Sequence, residues 1–188
     1  MTKIIRTLGW IALLGGAVRA AMTPCALYWG AGSVQELSAG VIGSILLTIG
    51  TFGIYLHQAK AMGRYGMPVF YLVTFGNILT ALLVSLSLND VLHGRGADTA
   101  PVFPFDLVIL LNMLLLIFGL VLFGSLSFRA GKLPRWASIL LILTPAALLV
   151  PGLADWSAGL WGLAYMGFGF KVVLTEQDWE VNYAKPAL

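Results

Sequence analysis

The sequence predicts an all-α membrane protein, a six-transmembrane-helix bundle with both termini in the cytoplasm. Of 188 residues, 59% are hydrophobic and 10% are charged, whereas soluble domains carry about 25% charged residues. Six apolar segments are each long enough to cross a bilayer, and the Lys and Arg residues between them alternate sides. The apolar runs are continuous and rich in Leu, Ile and Gly, without the two-residue alternation of a membrane β-barrel.

A hydrocarbon core about 30 Å thick requires roughly 20 helical residues. The predicted spans are about 5–22, 37–57, 68–88, 106–127, 136–151 and 156–174. The first span follows Lys3 and Arg6, as in a secretory signal peptide. Arg19 stands directly before the small residues Ala20 and Ala21 and disfavours cleavage there. We therefore expect this segment to be retained as a transmembrane helix.

Turns, a proline and interface residues support the assignment of the remaining spans. Short basic turns join the second span to the third and the fourth to the fifth. The fifth span contains Pro145, which removes a backbone hydrogen bond and kinks a helix. The sixth is less hydrophobic, but Trp156 and Trp161 toward one end and Phe170 and Lys171 toward the other are typical interface anchors.

The orientation follows from the positive-inside rule. Nine of the eleven Lys and Arg residues lie on one side of the predicted membrane. The opposite side contains Arg95 and most of the acidic loop residues. The even number of spans agrees with cytoplasmic placement of both termini.

We expect one transmembrane domain, with an outer loop at 89–105 and a polar cytoplasmic tail at 175–188. A weak internal repeat aligns 52–64 with 123–135, an offset of 71 residues. The single cysteine, Cys25, excludes an intramolecular disulfide.

Arg19 is the charged residue that lies well inside a predicted span. Such residues usually face a partner or a cavity. Glu36 and Asp106, at the starts of the second and fourth spans, lie at a similar depth. Arg19 is therefore interpreted either as a contact for an anion or substrate, or as half of a structural ion pair, most simply with Glu36.

Two amides and two aromatic residues are further candidates. Asn77 and Asn112 lie within the third and fourth spans, where amides commonly form hydrogen bonds between helices. Trp161 and Tyr165 project between glycines of the sixth span. They indicate either a groove for a flat apolar ligand, such as a quinone, pigment or lipid tail, or tight helix packing.

Cofactor and catalytic patterns are weak. His57 is a candidate metalloporphyrin ligand because neutral imidazole binds such metals, but its position beside Gln58 and Lys60 also suits a side chain that reaches water. The sequence implies no cofactor, no metal site and no catalytic residues. Its basic residues form no aromatic-interleaved patch for nucleic acid.

Several turns resemble those of small multi-span bacterial membrane proteins of unknown function. The similar segments are Gly-Ile-Tyr-Leu-His-Gln-Ala at 53–59, Gly-Arg-Tyr-Gly at 63–66 and Arg-Ala-Gly-Lys-Leu-Pro-Arg-Trp-Ala at 129–137. This resemblance covers most of spans two to five and implies a helical bundle, without functional residues to transfer.

We expect a non-enzymatic protein of the bacterial inner membrane, an accessory or structural subunit that packs against other membrane proteins or against copies of itself. The alternative is a small carrier or binding protein for an apolar or amphipathic ligand. It predicts a cavity bordered by Arg19, Asn77, Asn112 and the sixth span.

Overall fold

The computed structural model describes residues 2–94, 104–150 and 152–184, and the elements within these ranges are all helical. The seven α-helices are α1 (Thr2–Ala20), α2 (Met22–Trp29), α3 (Val34–Met62), α4 (Gly66–Leu92), α5 (Phe105–Ala130), α6 (Arg135–Leu149) and α7 (Ser157–Ala184). Short 3₁₀ turns, Gly63–Tyr65 and Ala154–Trp156, precede α4 and α7. The predicted all-α class is confirmed.

Local sequence explains several helix ends. Ser33 caps α3: its hydroxyl accepts a hydrogen bond from the Glu36 amide, and the Glu36 carboxylate accepts one from the amide of Gly32. This reciprocal arrangement resembles a capping box. At its other end, α5 stops at Gly131, whose φ of 65° is left-handed and therefore suits glycine.

The helices form a closed antiparallel ring. Each long helix packs against the next in chain order from α1 through α3, α4, α5 and α6 to α7, and α7 packs back against α1. Helix α3 also contacts α5 and α7 across the ring. The buried centre is therefore lined most extensively by α3.

Glycines allow α1 to approach both of its neighbours closely. A Cβ atom at Gly50 of α3 would lie 2.5 Å from Cα of Ala12, and one at Gly169 of α7 would lie 2.5 Å from the Leu13 amide nitrogen. A Cβ at Gly162 would collide with the backbone of Ala20 and with the Gly16 carbonyl. These separations permit only glycine without a backbone shift.

The surface of the ring is more apolar than that of a water-soluble protein, and polar side chains share the interior with a hydrophobic core. Large hydrophobic side chains cover the outside of the ring, whereas Ser44, Thr51, Gln58 and Asn77 are buried with at most 1% of their surface exposed. A bilayer accounts for this arrangement, because lipid solvates the apolar exterior and the interior satisfies polar groups.

Four helical stretches are long and apolar enough to cross a membrane: Lys3–Trp29, Val34–Leu92, Phe105–Ala130 and Ser157–Thr175. A shorter apolar helix covers Arg135–Leu148. The protein is thus a helical membrane protein. The second stretch contains both α3 and α4, which lie antiparallel.

Two helices extend into the segments predicted as outer loop and tail. Helix α4 continues to Leu92, three residues beyond the predicted start of the loop at 89–105, and the His93 amide donates a hydrogen bond to the Asn89 carbonyl at its end. Helix α7 continues through Ala184, into the predicted tail at 175–188. Residues 95–103 and 185–188 of these predicted segments lie outside the described residues.

Candidate functional site

A ladder of buried polar side chains follows the inner face of α3. Ser44, Thr51 and Gln58 are spaced seven residues apart, about two helical turns, so they lie on one face of the helix. At about 1.5 Å per residue, the ladder extends roughly 21 Å. At each of its three levels, the α3 side chain bonds to a residue from a different helix.

The first level contains Arg19, near the end of α1. Its Nη1 donates a hydrogen bond of 3.1 Å to the Ser44 hydroxyl. Its guanidinium carbon lies 4.5 Å from the centroid of the Trp161 ring of α7, a cation–π contact that stabilises a desolvated cation. Only 7% of the Arg19 surface is exposed. The Glu36 carboxylate adds a favourable electrostatic interaction from the start of α3.

The second level joins α3, α4 and α7 through the Thr51 hydroxyl. This hydroxyl donates to the Leu47 carbonyl at 2.6 Å and lies 2.9 Å from the Tyr165 hydroxyl. Asn77 Nδ2 donates to the same Thr51 oxygen at 3.3 Å. Since the single Thr51 proton is directed to Leu47, Tyr165 is the donor in its bond to Thr51.

The third level joins α3 to α5. Gln58 Nε2 donates to the Ser127 hydroxyl at 2.8 Å, and both side chains are buried. A separate polar pair lies between α4 and α5, where the Thr80 hydroxyl is 3.2 Å from Oδ1 of Asn112.

Four buried polar atoms of the described residues have no hydrogen-bond partner within the protein: Arg19 Nε, Trp161 Nε1, Asn77 Oδ1 and Gln58 Oε1. All four belong to ladder residues or their direct contacts. Leaving a buried donor or acceptor unsatisfied costs about 1–3 kcal/mol, and native proteins usually satisfy such groups with protein, water or ligand. Each level of the ladder therefore contains a buried donor or acceptor that a water molecule or a ligand could satisfy.

The structure brings together four of the residues singled out in the sequence: Arg19, Trp161, Tyr165 and Asn77. The last two share the Thr51 level. Trp161 lies near the Tyr165 hydroxyl, but its Nε1–H forms no hydrogen bond of acceptable geometry with it. Asn112 is buried but pairs with Thr80 instead of joining the ladder.

The other candidate residues predicted from the sequence lie near helix ends. Glu36 is half-buried at the start of α3, whereas Asp106 is exposed and accepts a hydrogen bond from the adjacent Leu107 amide. His57, the weak cofactor candidate, is half-buried beside Gln58. Within the described ranges, His, Cys, Asp and Glu form no group of three that could hold a metal ion.

Four members of the site were not predicted from the sequence: Ser44, Thr51, Gln58 and Ser127. Their signal was the seven-residue spacing of Ser44, Thr51 and Gln58 within an otherwise apolar segment. Serine and threonine are common in membrane helices, where they bond to their own backbone. The spacing alone therefore could not identify their partners on other helices.

We find no match between this chain and any protein-family model, curated protein or solved structure.

Proposed function

We propose that the chain crosses a bacterial inner membrane six times, with both termini in the cytoplasm. The crossings are α1, α3, α4, α5, α6 and α7, which alternate in direction around the ring. Support comes from the basic residues of the described ranges, which apart from Arg19 cluster toward one end of the bundle: Lys3, Arg6, Lys60, Arg64, Arg129, Lys132, Arg135 and Lys171. Short loops rich in Lys and Arg face the cytoplasm.

Reporter fusions test this topology. Alkaline phosphatase joined after Gly63 or Gly131 should be inactive, because these turns would lie in the cytoplasm. The same reporter joined after Gly32 or Gly94 should be active. The opposite pattern would reverse the orientation, and a mixed pattern would change the number of crossings.

Within this topology, we propose a non-enzymatic binding protein or carrier for a small amphipathic ligand. The observation that carries the proposal is the set of unpartnered buried atoms on Arg19, Trp161 and Asn77. Charged and polar groups are expensive inside a membrane and commonly mark substrate or ion pathways. Two further contacts support the proposal: Arg19 lies against Trp161 and Asn77 lies near Tyr165, both on α7, whereas Asn112 pairs with Thr80 instead.

The accessory-subunit function is the second proposal, and its support is weaker. An interface with partner proteins would draw on helix faces lined by small residues. Within the bundle, however, Gly43, Gly50 and Gly53 pack on α1, Gly162 packs on α1, and Gly167 packs on Trp136 and Ala137 of α6. Small residues that already serve internal packing provide little basis for an external interface.

Native mass spectrometry of protein released from its own membranes separates the two functions. A bound small molecule that persists at unit stoichiometry and is lost in the Asn77→Leu variant supports the binding protein. Stoichiometric recovery of another membrane protein supports the accessory subunit. Recovery of the bare chain, both for the wild-type protein and for Asn77→Leu, would contradict both proposals.

A further inference from the structure

The ligand class follows from the hydrogen-bonding capacity at the Arg19 level, if the proposed binding function holds. The two unpartnered atoms at this level, Arg19 Nε and Trp161 Nε1, are both donors. They lie on side chains in direct contact, with the guanidinium carbon 4.5 Å from the indole centroid. A ligand that satisfies this level must therefore present acceptors.

The electrostatics of the same level favour a negative charge on that ligand. Arg19 carries a full positive charge in a position that is 7% exposed. Trp161 lies one helical turn after the start of α7 at Ser157, so the positive end of the helix dipole adds to the potential there. Glu36 offsets part of this charge, but its carboxylate is half-buried and accepts the Gly32 amide.

Neighbouring contacts limit how far a ligand can enter beyond this level. Tyr165, one turn further along α7, is fully buried and bonded to Thr51. On the side of α1, Gly16 and Gly162 bring the helix backbones into contact. These contacts confine a bound group to the region of the guanidinium fork and the indole N–H, which suits a compact headgroup.

We propose that Arg19 and Trp161 form a binding site for a compact oxyanion, a carboxylate or a phosphate. Arg19 binds it through the fork that includes Nε, in the geometry that guanidinium groups use for carboxylate and phosphate. Trp161 adds one hydrogen bond through Nε1 and holds the guanidinium by the cation–π contact. The oxyanion comes either from an amphiphile dissolved in the membrane or from water.

Binding to protein in phosphatidylcholine nanodiscs tests the proposal. The membrane-soluble probes are dodecanoate and dodecyl phosphate, with dodecanol as the uncharged match of equal chain length. Acetate and inorganic phosphate are the water-soluble probes. We expect the anionic amphiphiles, the soluble anions or both to bind, and dodecanol to bind at least about 10-fold more weakly, because charged hydrogen bonds are lost. Amphiphile binding without soluble-anion binding identifies the membrane as the source.

Variants assign the binding to the two residues. Arg19→Gln should weaken anion binding at least about 10-fold. Arg19→Lys, which retains the charge but removes the fork, should give an intermediate loss, and Trp161→Phe should lose several-fold because it retains the ring but removes Nε1–H. Arg129→Gln, an exposed cation at the opposite end of the bundle, is the matched control and should bind as wild type does.

The proposal and the function on which it rests fail in different ways. Equal binding of dodecanol and dodecanoate, or wild-type anion affinity in both Arg19→Lys and Trp161→Phe, would overturn the oxyanion site while leaving a ligand-binding protein. Absence of binding by every probe, together with a bare chain in native mass spectrometry, would remove the binding function itself. The two conservative variants keep the test decisive if Arg19→Gln fails to fold.

Discussion

Helices α5 and α7 are of similar length but occupy opposite environments. The α5 stretch is the most hydrophobic of the four membrane-spanning candidates, and 22% of it is buried; the α7 stretch is the least hydrophobic, and 61% is buried. In a soluble protein the more hydrophobic helix would be the more buried one. Here lipid solvates α5, while α7 supplies Trp161 and Tyr165 to the polar ladder. In this protein, the least hydrophobic of the four stretches is thus the one most buried in the bundle.

The side of the bundle that contains α7 and the side that contains α5 also differ in how closely their helices pack. On the α1–α3–α7 side, glycines bring helix backbones into contact. On the α4–α5 side, a Cβ atom at Gly76 would meet the end of the Leu116 side chain at 3.0 Å. We therefore expect substitutions to have much larger effects on the first side than on the second.

The largest difference should come from paired glycine substitutions. Gly50→Ala places a methyl group against Cα of Ala12, a backbone atom that cannot move alone, and should destabilise the fold by about 3 kcal/mol, the upper end of overpacking costs. Gly76→Ala meets a flexible side chain and should have little effect. Unfolding in mixed micelles with increasing dodecyl sulfate measures both. Equal stability of the two variants would disprove the difference between the two sides.

Two phenylalanines of α5 provide the next comparison. Phe123 is fully buried, whereas 57% of the Phe118 surface is exposed. Phe123→Ala should cost about 2–3 kcal/mol from lost packing, below the soluble-protein range of about 3–5 kcal/mol because lipid is as apolar as the core. Phe118→Ala, measured by the same unfolding assay, should change stability by less than about 0.5 kcal/mol. A comparable loss in Phe118→Ala would mean that this face of α5 is covered by protein rather than lipid.

Removal of the Thr51 hydroxyl tests the middle of the ladder. Thr51→Val leaves the Tyr165 hydroxyl and the Asn77 amide without their shared acceptor, and should destabilise the protein by about 1–2 kcal/mol. Thr48→Val is the matched control, since the Thr48 hydroxyl bonds to the Ser44 carbonyl of its own helix at 2.8 Å. Chemical unfolding should separate the two variants, and identical midpoints would show that the Thr51 bonds contribute no stability.

The smallest effect should come from the bond that joins the two sides. A double-mutant cycle of Gln58→Leu and Ser127→Ala measures the coupling across the 2.8 Å bond between α3 and α5. We expect about 0.6 kcal/mol, the average for hydrogen bonds between membrane helices. A coupling of zero would indicate that these side chains do not interact in the membrane.

Much of this fold could be predicted from the sequence because apolar length and the positions of Pro, Gly and basic residues are local signals. The all-helical class, the short turns and the burial of Arg19, Asn77 and Tyr165 belong to this part. The continuation of α7 through 175–184 could not be read from the polarity of this segment, because polarity at a helix end does not stop a helix that has no breaker.

The ladder itself could not be predicted, because it depends on the rotation of each helix about its axis. Gln58 looked like a boundary residue beside His57 and Lys60, yet its side chain is turned inward to Ser127. The 71-residue repeat illustrates the same point. Its aligned residues Phe52 and Phe123 are 44% and 0% exposed, so residues of the same type lie in different environments.

The most direct test of this account is residue-level mapping of lipid contact. Protein in nanodiscs that contain a photoactivatable acyl chain would be irradiated, and the labelled positions identified by mass spectrometry. We predict labels on the exposed α5 residues Leu110, Leu114 and Phe118, and none on Trp161, Tyr165 or Phe168 of α7. Labels on these α7 residues, with α5 protected, would contradict the arrangement in which the polar helix forms the interior and the apolar helix faces lipid.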